Sequence, residues 1–88
     1  MKKPLNYAIL LYFTEHTEGD ADEIIEALKP EYEKYRNFKK PAVIESLMTA
    51  KENGLLEESD RVELTDKDEL RVWYKLSEYG DEMIRKYL

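Results

Sequence analysis

The sequence predicts an α+β fold: three helices, a two-stranded antiparallel hairpin and a C-terminal helix. Three observations carry that expectation. Apolar residues recur every three or four positions up to Ala50, as on the buried face of a helix. They switch to period-two alternation, rich in β-branched and aromatic side chains, between Arg61 and Leu76. Helical spacing then returns behind Ser77. A chain of 88 residues has room for one modest core, so residues 1–88 are expected to form a single domain.

The first helix covers PLNYAILLYFTEH, residues 4–16, with Leu5, Ala8, Ile9, Tyr12 and Phe13 on one face. Leu10 and Leu11 widen that stripe, as in a central helix or one that meets a second chain. The basic start Met1-Lys2-Lys3-Pro4 is followed by no small-residue cleavage site and leads into this helix, so it is not taken as a signal peptide. Gly19 is the expected end point. Asp20 then stands as an N-cap with Glu23 in the capping-box position. Ile24, Ile25, Ala27 and Leu28 form the apolar side of the second helix. Pro30 is expected to end or kink it, because proline lacks the N–H and clashes with the preceding turn. PEYEKYRNF is expected to add a short helical segment that lengthens the connection.

The third helix lies in PAVIESLMTAKENGLLEE, residues 41–58. Val43, Leu47 and Ala50 fall within about 40° of one direction at 100° per residue, which makes them its buried stripe. Gly54 has the place of a left-handed C-cap, and Leu55 and Leu56 return to the core behind it. In RVELT, Val62 and Leu64 alternate with Arg61, Glu63 and Thr65. In LRVWYKL, Leu70, Val72, Tyr74 and Leu76 alternate with Arg71, Trp73 and Lys75. The polar DKDE between them is the hairpin turn. Ser77 caps the last helix, which runs to about Tyr87 with Met83, Ile84 and Leu88 for the core.

Composition narrows the function classes. The chain is 42% hydrophobic and 39% charged, with seven tyrosines and one tryptophan, which speaks for a soluble fold and against disorder. No apolar run approaches the roughly 18 residues of a membrane span. The absence of cysteine excludes disulfides and thiolate metal sites together, in keeping with a reducing cytoplasm. A formal charge of -6 and a pI near 4.8 oppose approach to phosphate or an anionic membrane at long range. Contact with nucleic acid therefore has to come from a local basic patch. His16, the single histidine, sits beside Glu15 and Glu18 as a solvated helix end rather than a metal ligand. The acidic run from Glu18 to Glu26 suits a helix N-terminus favoured by its dipole, on a solvated face. No nucleophile arrangement and no glycine-rich phosphate loop is present, so neither an enzyme nor a cofactor is expected.

Two patterns in this order of elements resemble the winged helix-turn-helix family. The first is V-x3-L-x2-A-x3-G-L-L across Val43, Leu47, Ala50, Gly54, Leu55 and Leu56. It is similar to the recognition helix and the turn into the wing of MarR-like and PadR-like regulators. The second, YKLSEYGDEMIRKYL, is similar to the strand-then-helix ending those families share. YAILLYF near the start also resembles the first helix of PadR-like proteins. The chain departs from the pattern in its long Pro30–Phe38 segment, and nothing after Leu88 supplies the long dimerising helix of many such regulators.

The resemblance implies a third helix that enters the major groove. Lys39 and Lys40 at its entrance would reach phosphates, and Ile44, Glu45, Ser46 and Thr49 would face the duplex. Glu45, Thr49 and Glu52 lie opposite the core stripe, flanked by Ile44 and Met48 on one side and Ser46 on the other. Direct readout favours Arg or Lys on guanine and Asn or Gln on adenine. Here only Ser46 and Thr49 donate without penalty, and Glu45 can accept from a cytosine amino group. The wing tip, Asp66-Lys67-Asp68-Glu69, is mostly acidic. Arg61, Arg71 and Lys75 share the outward hairpin face with Trp73, which is open to three uses: gripping a backbone, covering the back of the sheet, or meeting a partner chain. The leading expectation is a homodimeric, cytoplasmic transcriptional regulator that binds double-stranded DNA. The alternative is a winged-helix protein–protein interaction module that does not bind DNA, with Ile44, Met48 and Trp73 as its contact.

Overall fold

The computed structural model describes residues 4–36 and 38–87. The start at Met1-Lys2-Lys3 and the core role expected of Leu88 lie outside the described residues. Leu5–Glu15 form α1, with Pro4 as an extended N-cap. Ala8, Ile9 and Phe13 are buried along it, and Leu5, Leu10 and Tyr12 pack at the rim of the core. Gly19 does more than follow the helix. Its N–H and C=O exchange hydrogen bonds of 2.9 Å with Tyr74, which lays one residue of strand against the hairpin.

Ala21–Tyr32 form α2, opened by the expected capping box: the Glu23 N–H donates to the Asp20 carboxylate, and the Asp20 N–H to Glu23. Ile24 is buried, Ile25 and Leu28 are partly so, and Ala27, expected on the apolar side, faces solvent. Pro30 does not end the helix, which continues to Tyr32. An interior proline costs about 3 kcal/mol, but so close to the C-terminus it removes a single ladder bond. The extra turn carries Tyr32 into the interior, 1% exposed, and burying a large side chain recovers roughly 1.5–3 kcal/mol. Tyr35 and Phe38 pack against the Tyr32 ring. The long connection is thus a turn plugged by aromatics, not a second helical piece.

Lys40–Glu52 form α3, with Val43, Leu47 and Ala50 buried as spaced. Gly54 takes φ +81, a conformation that costs an L residue roughly 1–2 kcal/mol, and its turn sends Leu56 into the core. Strand β1, Leu56–Leu64, begins directly behind that turn, well before the RVELT segment. It runs antiparallel to β2, Leu70–Leu76. Leu56 pairs with Leu76 and Glu58 with Tyr74, a bulge intervenes, and pairing resumes from Val62 with Val72 to Leu64 with Leu70. The turn is closed by hydrogen bonds from the Lys67 and Glu69 N–H groups to the Thr65 hydroxyl.

Alternation assigned the hairpin faces correctly but not their exposure. Only Tyr74 and Leu76 of the inner set reach the core. Val62, Leu64 and Leu70 remain 50%, 69% and 66% exposed, because the distal half of the hairpin projects past the helices. Trp73, expected on an outward face, is instead buried at 1% exposure. The Arg61 and Arg71 guanidinium groups lie 4.0 and 4.7 Å from its ring centre, and its indole N–H donates to Glu23 at 2.8 Å. The first turn of α2 covers that side of the sheet, so Trp73 is available neither to a backbone nor to a partner.

Glu78–Tyr87 form α4, capped as expected by the Ser77 hydroxyl, which accepts the Gly80 N–H at 2.8 Å. Ile84 is buried in it. Gly80 abuts the backbone of Leu55 so closely that a Cβ there would overlap the Leu55 carbonyl oxygen. Gly80→Ala should therefore destabilise the fold by about 1–3 kcal/mol, the usual cost of overpacking, read as a fall in the urea midpoint. Trp73 is the single tryptophan, so its burial is directly observable. Its emission should be blue-shifted and poorly quenched by acrylamide until the chain unfolds, and Trp73→Ala should cost about 3–5 kcal/mol.

Candidate nucleic-acid interface

Helices α2 and α3 begin in opposite ways. The α2 N-terminus has its capping box and, with Asp22 and Glu23, two acids in its first turn. The α3 N-terminus has no side-chain cap and no acid in its first turn. Lys39 stands at its N-cap position and Lys40 at its first helical residue. Positive side chains at the positive end of a helix dipole work against the helix. The free backbone N–H groups, the dipole and two ammonium groups together make this end attractive to anions. Both lysines are exposed, and among the described residues Lys39 makes no ion pair.

The other expected cations are not free. Lys40 Nζ lies 3.0 Å from Asp22 Oδ1. Arg71 reaches Asp20 through two nitrogens, Nε at 2.7 Å and a terminal nitrogen at 2.5 Å, and its Nε lies 3.9 Å from Asp22. Arg61 pairs with Glu18 and Glu63, and Lys75 with Glu57. The hydrogen bond that Arg71 donates to Asp20 is the largest influence holding its guanidinium protonated beyond its ordinary range, against partial desolvation.

These pairs are unequal. The Lys40 and Asp22 side chains are each about half exposed, and such pairs contribute about 0–1 kcal/mol, so a phosphate that displaces Asp22 from Lys40 gives up no more than that, apart from the repulsion of the carboxylate it meets there. Asp20 is 4% exposed at its side chain, and stripping its partner would leave a buried charge uncompensated. Arg71 is therefore committed to the fold. The acidic run from Glu18 to Glu26 is accordingly not a simple solvated face. Its first half binds the wing, a role that spacing alone could not show, since the partners lie on distant strands.

The outward side of α3 divides in two. Glu45, Ser46 and Thr49 turn toward α1 and, with Leu5, Asn6 and Ile9, line a groove of 630 Å³. Ser46 is half-buried and donates to Asn6 Oδ1, which removes it from a free reading face. Ile44 and Met48 turn toward the wing, 38% and 51% exposed. Ile44 lines a 160 Å³ pocket with Lys40, Asp22, Leu70, Arg71 and Val72. Cross-strand pairing puts Val62 and Leu64 beside Val72 and Leu70, so an exposed apolar strip extends from α3 along the wing. Among the described residues no acid or histidine cluster is placed to hold a metal ion, and no helix is long and apolar enough to cross a membrane.

No family sequence model and no curated protein sequence matches the chain. Solved structures do. Bacillus subtilis PadR, in a crystal structure with operator DNA, superposes with a TM-score of 0.73 at 19% identity, over 94% of this chain and 45% of that one. A PadR-like transcriptional regulator from Bacillus cereus gives 0.68 at 16% identity, over 93% and 75% of the two chains. A protein of Thermoplasma acidophilum described as a transcriptional regulator gives 0.64 at 16%, over 94% and 79%. This chain thus spans less than half of the Bacillus subtilis PadR chain. The helices, the paired strands and their order are those of the winged helix.

Proposed function

We propose that this protein is a DNA-binding transcriptional regulator of the PadR-like kind, a single winged-helix domain over residues 1–88 acting in the cytoplasm as a homodimer. The observation that carries this reading is the α3 N-terminus, which bears Lys39 and Lys40 and has no side-chain cap, whereas α2 and α4 are capped by Asp20 and Ser77. The fold shared with a protein solved on its operator supports it. Lys39 is the principal phosphate contact and Lys40 the second. Ile44, Glu45 and Thr49 face the duplex, and Arg61, Arg71 and Lys75 add wing charge already largely answered within the chain. Dimerisation is supported by the breadth of apolar surface on α1, where Leu10 and Leu11 stay half-exposed, and by the twofold symmetry of palindromic operators.

One observation favours a second reading. The strip formed by Ile44, Met48, Val62, Leu64 and Leu70 is apolar and exposed on the face where a duplex would lie, which suits a protein surface better than a phosphate backbone. On that reading the domain is a protein–protein interaction module, with Ile44 and Met48 in the contact and Trp73 beneath the surface.

Titration of mixed-sequence duplex DNA across a salt series separates the two. A regulator binds at about 50 mM salt and weakens steeply as salt rises, and Lys39→Ala makes the slope shallower by about 1. Absence of binding at about 50 mM, where phosphate contacts still act strongly, would refute the regulator and leave the interaction module. Light scattering should show twice the mass of the 10.5 kDa chain, and a monomer at high concentration would contradict the dimer.

A further inference from the structure

We propose that Asp22 is an internal substitute for a DNA phosphate and limits how tightly this face can hold DNA, an inference that rests on the DNA-binding reading above. Its carboxylate lies between two cations from the elements that would clamp a duplex. One oxygen is 3.0 Å from Lys40 at the α3 entrance, and the other is 3.9 Å from Arg71 on the wing. All three residues line the same small pocket, with Ile44 and Leu70 at its apolar side.

Besides its favourable place as an acid in the first turn of α2, Asp22 has no ion-pair partner among the described residues other than these two cations. The capping box is closed by Asp20 and Glu23, the buried partner of Arg71 is Asp20, and the indole of Trp73 is held by Glu23. The Asp22 side chain is 47% exposed, and removing its charge leaves no buried group unsatisfied. What it does is answer the charge of Lys40. A lysine already neutralised within the chain releases fewer counterions when it meets a phosphate, and the Asp22 carboxylate repels the incoming anion. Each effect lowers both affinity and its dependence on salt. Asp22 therefore sets the strength of binding without touching a base.

The test compares the full chain with Asp22→Asn, Lys39→Ala, Lys40→Ala and the Asp22→Asn/Lys40→Ala double variant on one mixed-sequence duplex. Asp22→Asn should bind about tenfold more tightly near 50 mM salt, with a slope steeper by about 1. Lys40→Ala should remove the larger part of that gain, leaving what comes from the lost repulsion. In the wild type, Lys40→Ala should cost less affinity than Lys39→Ala, a comparison that does not require the asparagine variant to fold. Equal affinity of Asp22→Asn and wild type overturns the role of Asp22. If Lys39→Ala still weakens binding in that case, the DNA-binding reading stands. Absence of binding by every protein overturns both.

Discussion

The first turn of α2 is the point on which the rest of the structure depends. Asp20 and Glu23 cap each other's backbone, and the same two carboxylates reach across to the wing. Asp20 takes Arg71 and Glu23 takes the Trp73 indole, while Gly19, one residue earlier, pairs with Tyr74. Three of the four consecutive β2 residues 71–74, namely Arg71, Trp73 and Tyr74, are thereby fixed to the start of one helix. An isolated two-stranded hairpin is marginal in water. Here its position is held by a short segment that reads, in sequence, as an ordinary helix start. The base of the wing is thereby tied to the start of α2, which Lys40 of α3 also meets through Asp22.

That arrangement bears on how an acidic protein with a winged-helix fold could meet DNA, as proposed above. Around the α3 entrance and the wing, Glu18, Asp20, Asp22, Glu57 and Glu63 are engaged with internal cations, and those cations are engaged in turn. Lys40, Arg61, Arg71 and Lys75 are each paired within the chain, and Lys39 makes no ion pair among the described residues. A neutralised face gives little long-range steering, so recognition on it would rest on short-range fit: the helix N-terminus, the apolar strip, and the shape between α3 and the wing.

Local periodicity made most of the fold legible. The buried stripe of α3, the positive-φ Gly54, the Asp20–Glu23 box and the Ser77 cap each have a signature a few residues long, and each was found in place. What failed was what depends on distant partners. Pro30 was given a breaker's role because its cost is local, whereas the burial of Tyr32 that offsets it is tertiary. Trp73 was placed on the right face of the strand, but nothing in LRVWYKL reveals that α2 lies over that face. Ala27 was counted as apolar because it is, although the helix buries a narrower stripe. At the candidate interface Lys39 and Lys40 were legible from their position before α3. That Ser46 would turn to Asn6, and that Lys40 would meet Asp22, depends on contacts between separate helices that no spacing records.

The acidic turn at the tip of the wing has a consequence of its own. Leu64 and Leu70 face each other at the end of the strands, both about two-thirds exposed, beside a β1 edge that no other strand of the described chain covers. Exposed apolar strand ends of this kind are where molecules stack edge to edge. Asp66, Asp68 and Glu69 sit directly beside them, and their mutual repulsion between neighbouring molecules makes such stacking unfavourable. Poor as phosphate contacts, these residues are placed as gatekeepers that oppose edge-to-edge stacking while the apolar strip beside them stays exposed.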